Sequence, residues 1–287
     1  MKFILGTASF DSNYGIENRD ISTSEANCLD ILTRAKSLNI ESLDTAPNYG
    51  NAESLIGKFH SNYKPFNVYS KISDSNFSST KDVVSQIHKS LRLLKIEKFA
   101  GLLFHKSEFL EINSEKVTNK LISEILASGL TTRVGVSIYR EEEIERISKK
   151  FPDIKLFQVP ENVMDRRLLN SRTIYDLFDQ GVEFHVRSIF LQGLLLADVE
   201  KLSDSFSQSV IGLRQLKNYC ENQKINIIDL CLNYISQIDW ASKIVVGVNS
   251  MEQLPEIVNF RKQEFDLTAL PKSFSDLILD PRKWAVR

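Results

Sequence analysis

The sequence lacks the features that mark several broad classes of protein. It has only three cysteines in 287 residues, Cys28, Cys220 and Cys231. This odd, widely spaced set excludes a disulfide framework and a cysteine-rich zinc site, and no metal site is predicted. Lysine and arginine total 36 against 37 aspartates and glutamates, a net charge of −1. The cation excess of a nucleic-acid-binding surface is therefore absent.

Long apolar runs are also missing. No segment approaches the roughly 18 apolar residues of a membrane helix, and the apolar stretch that ends at Gly6 is too short for a signal peptide. We therefore expect a cytoplasmic protein with neither a nucleic-acid nor a membrane partner. The balanced charge does not indicate an oligomeric state.

Short apolar runs, in contrast, alternate with helical patterns along the whole chain. Several runs are apolar at consecutive positions, as strands buried on both faces of a parallel sheet are. This alternation predicts one α/β domain over residues 1–287, a single (β/α)8 TIM barrel. About 55 residues separate the last two strands, which predicts an extra loop and an extra helix before the last strand. The predicted strands are Lys2–Leu5, Glu41–Asp44, Asn67–Lys71, Ala100–Phe104, Arg133–Val136, Ile154–Val159, Val182–Arg187 and Lys243–Gly247.

Two further patterns concern the first strand and helix. Ser22 and Glu25 have the spacing of a capping box, which predicts a helix that starts after Ser22. A two-domain, doubly wound protein is the main structural alternative. It is disfavoured because Gly6-Thr7-Ala8-Ser9-Phe10, rather than a Gly-x-Gly-x-x-Gly loop, follows the first strand.

Four ionisable side chains are placed at the carboxyl ends of adjacent predicted strands, where barrel active sites lie. Asp44 ends the second strand and Tyr49 follows it, Lys71 ends the third, and His105 follows the fourth. A lysine cation lowers the pKa of a nearby phenol, which ordinarily titrates near 10. These residue types suggest proton transfer to a carbonyl: Asp44 holds Lys71, Tyr49 acts as general acid and His105 hydrogen-bonds the substrate oxygen.

The segment from Asp44 to Gly57, DTAPNYGNAESLIG, resembles the signature of the aldo-keto reductases. Further fragments resemble other family motifs in chain order: Gly6-Thr7-Ala8, Gly135-Val136-Ser137, Arg187 to Leu194 (RSIFLQGL) and Val246 to Leu254 (VGVNSMEQL). Lys71 and His105 match the two remaining members of the family's catalytic tetrad. The resemblance implies an NAD(P)H-dependent reductase of aldehydes or ketones, in which the cofactor supplies a hydride.

The resemblance also implies which residues hold the cofactor. Ser137 and Gln158 would bind the carboxamide, Ser188 with the backbone near Leu191 and Gly193 would meet the pyrophosphate, and the eighth-strand segment would lie near the adenosine half. The full predicted cofactor set is Gly6, Thr7, Ser137, Gln158, Ser188, Leu191, Gly193, Gly247, Asn249, Ser250, Gln253 and Glu256.

The sequence departs from the family pattern at three places. After Glu256, which matches the pattern, Ile257 replaces an asparagine. Ile138 stands where an asparagine usually follows the fifth-strand serine, and Val248-Asn249-Ser250-Met251 lacks the arginine or lysine that often binds the 2′-phosphate of NADP. We predict NADPH as the cofactor from the family pattern, with NADH possible.

The substrate is predicted to be a small-molecule carbonyl compound. Tyr14, Asn48, Phe190 and Trp284 are candidates to line its pocket, and the polar residues Asp11 to Asn13 and Asn48 suggest a sugar-like compound. Two other functions stay open: a non-catalytic cofactor-binding relative that acts as a sensor or accessory subunit, and an aldolase or lyase that uses Lys71 as a Schiff base.

Overall fold

Eight parallel strands close into a barrel in the order in which they occur along the chain. The structure is a computed structural model and describes residues 2–11, 15–16, 24–73 and 80–284. The (β/α)8 barrel predicted from the sequence is therefore confirmed. The strands are β1 (Phe3–Gly6), β2 (Ser42–Asp44), β3 (Asn67–Ile72), β4 (Gly101–Phe104), β5 (Val134–Ser137), β6 (Ile154–Pro160), β7 (Glu183–Arg187) and β8 (Ala241–Gly247).

Ten α-helices lie within the described residues. They are α1 (Glu25–Ser37), α2 (Ala52–His60), α3 (Thr80–Leu94), α4 (Glu115–Ala127), α5 (Glu141–Lys150), α6 (Arg172–Asp179), α7 (Ser207–Gln223), α8 (Ile227–Ser236), α9 (Gln253–Val258) and α10 (Asp276–Leu279). The predicted extra segment lies between β7 and β8. It contains three short 3₁₀ turns, at Leu191–Gly193, Val199–Lys201 and Asp204–Phe206, followed by α7 and α8, so the predicted extra loop and extra helix are both present.

The first helix starts differently from the prediction. Ser24, not Ser22, is the N-cap, and its hydroxyl accepts a hydrogen bond from the backbone N–H of Asn27 at 3.2 Å. Glu25 is thus the first helical residue, and a carboxylate there cannot complete a capping box, which needs it at the third position. Ser22 lies outside the described residues.

Alternation along the strands separates two cores. Ile4, Tyr69, Leu103 and Leu156 form a small cluster of buried side chains, while the larger core lies between the strands and the helices around them. Lys71 is two residues beyond Tyr69 on β3 and therefore points to the same face. The barrel interior therefore carries charged residues as well as this cluster. Lys71 lies toward the carboxyl ends of the strands, and Lys243, which is paired with Glu183, donates to the hydroxyl of Tyr69 at 2.5 Å.

The first and last strands, β1 and β8, pair with each other and close the barrel. Gly6 is paired with Asp44 on one side and with Gly247 on the other, so the carboxyl ends of β1, β2 and β8 meet at one rim. Within the described residues, no helix combines the length and the apolar character needed to cross a membrane.

Candidate active site

A buried ion pair forms the base of the site. Lys71 Nζ lies 2.5 Å from Asp44 Oδ2, and the two side chains are only 1% and 5% exposed. The backbone carbonyl of Asp44 accepts two hydrogen bonds from Thr7, from its N–H at 2.9 Å and its hydroxyl at 3.1 Å. Thr7, predicted to contact the cofactor, thus anchors the end of β2 that carries the carboxylate.

Gln158 provides the Asp44 carboxylate with a second hydrogen-bond donor. Gln158 Nε2 donates to Asp44 Oδ2 at 2.8 Å, across the barrel from β6. Burial lowers the pKa of Lys71, and the contact with Asp44 opposes that shift. The carboxylate therefore receives two donors, and the ammonium keeps a counterion in a place that water does not reach.

Tyr49 and His105 follow β2 and β4 and lie together at the same rim of the barrel. Tyr49 follows β2 in a turn closed by its own N–H, which donates to the carbonyl of Ala46 at 3.1 Å. The rings of Tyr49 and His105 meet edge to face with centroids 6.0 Å apart. His105 is fixed by its backbone N–H, which donates to the carbonyl of Ile72 at 3.0 Å. Its Nδ1 lies 3.3 Å from the hydroxyl of Ser73.

The electrostatic surroundings keep His105 neutral. Burial, followed by the positive charge of Lys71, lowers the pKa of His105 to about 4. His105 follows β4 at the rim where β2 and β3 bring Asp44 and Lys71, and the charges of these two residues act on its pKa in opposite directions. Together with the ring contact to Tyr49, this brings the four predicted catalytic residues to one end of the barrel, around a neutral imidazole and a phenol.

A second cationic side chain lies at this rim and is not among the site residues predicted from the sequence. Arg187, the last residue of β7, places its guanidinium carbon 4.2 Å from the ring centroid of Tyr139. Arg282 lies over the same ring at 3.7 Å, held by Asp280 through two hydrogen bonds of 2.8 Å. The rule that selected Lys71, a charged residue at the carboxyl end of a strand, also selects Arg187. The contact with the chain's C-terminal segment has no such signal in the sequence.

Three residues predicted to contact the cofactor lie at or near the carboxyl ends of β5, β6 and β7. Ser137 ends β5 directly opposite Gln158 on β6 and is buried. Ser188, just after β7, has a left-handed backbone with φ 61°, its hydroxyl accepts from Arg187 Nη1 at 3.1 Å, and its carbonyl accepts from Asn162 Nδ2 at 3.0 Å.

The loop after β7 has an unusual backbone. Leu191, Gln192 and Gly193 have φ values of 48°, 53° and 91°. Two of the N–H groups are used inside the loop: that of Leu191 donates to the carbonyl of Ser188 at 2.9 Å, and that of Gly193 donates to the carbonyl of Phe190 at 3.0 Å. The pyrophosphate role that the resemblance assigns to Leu191 and Gly193 stays a prediction.

The β8 side is more open. A Cβ added at Gly247 would meet no atom within 4 Å, so packing within the described residues does not require a glycine there. Asn249 is held at both backbone groups: its N–H donates to Gln253 Oε1 at 2.7 Å, and its carbonyl accepts from Asn27 Nδ2 at 2.8 Å. Ser250 is half-buried and Glu256 is exposed on α9, a helix of six residues.

The four residues predicted to line the substrate pocket differ in their burial and in their surroundings. Asn48 is exposed and its Oδ1 accepts from Ser73 Oγ at 3.4 Å, which puts it beside His105. Phe190 is buried in the main core. Trp284 packs edge to face on Phe206, with ring centroids 4.9 Å apart, and its Nε1 donates to a backbone carbonyl in α10. Tyr14 lies outside the described residues.

A separate cavity of about 820 Å³ lies at the other end of the barrel. It is bordered by the end of α8, the start of β8 and residues 260–265. Because active sites of these barrels form at the carboxyl ends of the strands, this cavity is not part of the site around Lys71.

Comparison with known proteins agrees with the fold. The chain is 26% identical to D-arabinose 1-dehydrogenase of Saccharomyces cerevisiae over 276 residues, covering 88% of this chain and 80% of that protein. Two solved structures share the fold. The holo form of an aldo-keto reductase from Bacillus halodurans has a TM-score of 0.76 at 17% identity, covering 97% and 95% of the two chains. Glycerol dehydrogenase from Gluconobacter oxydans has a TM-score of 0.70 at 14% identity, covering 93% and 88%.

The decisive match is to a whole family rather than to one relative. The sequence profile described as "Aldo/keto reductase family" matches residues 2–270, which is nearly the entire chain. Its relatives support an oxidoreductase that acts on carbonyl groups and alcohols. The chain therefore belongs to the aldo/keto reductase family.

Proposed function

We propose that this protein is a cytoplasmic, single-domain reductase that uses NAD(P)H to convert an aldehyde or ketone to an alcohol, with Tyr49 as the general acid. The observation that carries the proposal is the buried Asp44–Lys71 pair at the carboxyl end of the barrel, with Tyr49 and His105 next to it. An unpaired buried cation would be costly, so Asp44 makes it possible to keep a positive charge near a phenol.

The chain's own residues have distinct roles in this proposal. The Tyr49 hydroxyl donates its proton to the carbonyl oxygen as that oxygen becomes negative, and the positive charge of Lys71 stabilises the resulting phenolate. His105, neutral above about pH 4, hydrogen-bonds the same oxygen and orients the carbonyl. Gln158 and Thr7 keep Asp44 in position. The bound dinucleotide supplies the hydride for the carbonyl carbon.

The residues of the rim fit a nicotinamide dinucleotide. Ser137 and the Oε1 of Gln158 would hold the carboxamide, and the pyrophosphate would lie against the loop from Leu191 to Gly193, as the family pattern implies. Open space beside Gly247 allows close approach at the β8 side. We propose NADPH as the preferred cofactor on the family pattern, although the segment from Val248 to Met251 has no basic side chain.

Tyr49→Phe tests the proposal most directly. Loss of the proton donor should lower kcat for a panel of aldehydes by roughly 10²–10⁴, while the dissociation constants of NADPH and NADH, followed by nicotinamide fluorescence, change little. Tyr63→Phe is the matched control, because Tyr63 is 53% exposed and stacks on Phe59 away from the site. Full activity of Tyr49→Phe would contradict the assignment of the proton donor.

The same measurements separate the other functions. Binding of NADPH without turnover of any carbonyl compound would favour the non-catalytic sensor or accessory subunit. Trapping of a carbonyl substrate on Lys71 by borohydride would favour the aldolase. The ion pair with Asp44 argues against the latter, because a Schiff base needs a neutral amine. The relation to D-arabinose 1-dehydrogenase and the exposed Asn48 favour a hydroxylated, sugar-like substrate among the carbonyl compounds to test.

A further inference from the structure

Arg187 is a half-buried cation without a counterion. Its guanidinium donates to the carbonyl of Ile138 at 3.0 Å and to the hydroxyl of Ser188 at 3.1 Å, and both acceptors are uncharged. Over the ranges that the structure describes, no carboxylate lies within 4.0 Å of it. An arginine has five N–H donors, so three of them have no acceptor among those residues.

The other arginine on the same ring shows the contrast. Arg282 also lies over Tyr139, but both oxygens of Asp280 accept hydrogen bonds from it. The charge of Arg282 is therefore neutralised within the protein, whereas that of Arg187 is not. Stacking on Tyr139 and the two hydrogen bonds fix the Arg187 guanidinium in place, which removes much of the entropy cost of binding a ligand.

The position of Arg187 connects it to the reacting groups. Arg187 is the last residue of β7, and the carboxyl end of that strand lies at the same rim of the barrel as the carboxyl end of β3, which carries Lys71. The guanidinium of Arg187 donates to the carbonyl of Ile138, the residue that follows Ser137. Burial is the main factor that lowers the pKa of Lys71 and of His105, and the charge of Arg187 lowers both further. A ligand seated between Tyr49 and His105 would therefore lie within the field of this guanidinium.

We propose that Arg187 is a specificity-determining residue that binds an anionic group, a carboxylate or a phosphate, on the carbonyl substrate; this rests on the proposed function. A partly desolvated guanidinium with unused donors is complementary to a planar or tetrahedral oxyanion, because two parallel N–H groups can meet two of its oxygens. The anion replaces the counterion that the protein does not provide. The substrate class becomes a carbonyl compound that bears an acidic group, such as an acidic or phosphorylated sugar derivative.

Matched substrate pairs test the inference. Glyceraldehyde 3-phosphate is compared with glyceraldehyde, and succinic semialdehyde with butanal, so that each pair differs in its anionic group. At least one anionic member should have a kcat/KM tenfold or more above that of its neutral partner. Arg187→Met should remove this preference through a higher KM for the anionic member, so that the kcat/KM values of the two members of the pair converge. Arg187→Lys should restore part of it.

The control variant is Arg172→Met, because Arg172 lies on α6 with its side chain 93% exposed. It should leave both members of each pair unchanged. Equal kcat/KM values within both pairs for the unmodified protein would overturn the inference. So would a weaker dissociation constant for NADPH in Arg187→Met with the anionic preference intact, because Arg187 would then serve the cofactor.

A binding experiment separates this inference from the proposed function. Succinate and glycerol 3-phosphate are titrated calorimetrically into the protein alone and into the protein saturated with NADP⁺. The unmodified protein should bind at least one of them, and Arg187→Met should bind it tenfold or more weakly. Which anion binds distinguishes carboxylate from phosphate. Absence of turnover with any carbonyl compound refutes the reductase, whereas absence of Arg187-dependent anion binding refutes the anion site alone.

Discussion

Replacing Asp44 by asparagine removes the counterion of Lys71 and keeps the shape of the side chain. Because the Lys71 side chain is 1% exposed, the ammonium would remain in the barrel without a compensating charge. Breaking such a buried pair from one side costs about 3–5 kcal/mol in the free energy of unfolding. For a chain of 287 residues this corresponds to a fall in Tm of roughly 5–8 °C, from an unfolding entropy of about 2.1 cal/mol/K per residue.

The stability of Asp44→Asn should increase with pH. Without Asp44, burial depresses the pKa of Lys71 in the folded state further below its unfolded value near 10.4. The unfolded chain then binds more protons than the folded chain between these two pKa values. The stability of Asp44→Asn should therefore rise as the pH increases toward 10, so the loss relative to the unmodified protein shrinks.

Urea unfolding followed by circular dichroism at pH 7 and pH 9.5 measures both effects. The double variant Asp44→Asn, Lys71→Met should recover most of the loss, because no buried charge remains. Glu145→Gln is the control: it breaks an ion pair with Lys149 whose side chains are 56% and 72% exposed, and it should not move the midpoint measurably. A loss below about 1 kcal/mol in Asp44→Asn, or the same loss in the double variant, would refute the reasoning.

Three further predictions concern pH and packing. His105, whose pKa is about 4 in the folded protein against about 6.5 when unfolded, takes up its proton more readily in the unfolded chain. Stability should therefore fall as pH drops from 6.5 to 4, and His105→Gln should flatten that slope in urea unfolding. Hydrogen bonds from His185 and Lys243 outweigh burial and hold the pKa of Glu183 at about 2; Glu183→Gln should cost about 3 kcal/mol at pH 7 in the same assay, whereas Glu183→Asp should cost less. Gly57→Ala would place a Cβ 1.8 Å from the carbonyl oxygen of Leu93, so it should lower Tm despite alanine's higher helix propensity; an unchanged Tm would show that α2 and α3 can separate there.

The strand ends explain why so much of the site was predictable. Asp44, Lys71 and His105 occur where apolar runs stop, and a parallel barrel brings all such ends to one rim. Placing Tyr49 needs only the short turn after β2. The fold class followed from the same alternation, because strands buried on both faces are apolar at consecutive positions and the helices between them are amphipathic.

The partners of these residues were decided by the tertiary structure. Gln158, far along the chain from Asp44, donates to that carboxylate, and Arg187 stacks on Tyr139 rather than pairing with an acid. Neither contact has a local signal, because side-chain packing across the barrel selects it. The start of α1 also differs from the prediction, because Ser24 rather than Ser22 is the N-cap of this helix.

Sequence alone therefore determined the barrel and the kinds of chemical group that surround its mouth, since hydrophobic periodicity and strand ends are local properties of the chain. Only the folded structure decided which charges are neutralised inside the protein and which are not. Lys71 is paired with Asp44 on the neighbouring strand, whereas no carboxylate among the described residues pairs with Arg187. Charge pairing depends on distances of a few ångströms between strands remote in sequence, and those distances exist only once the sheet has closed.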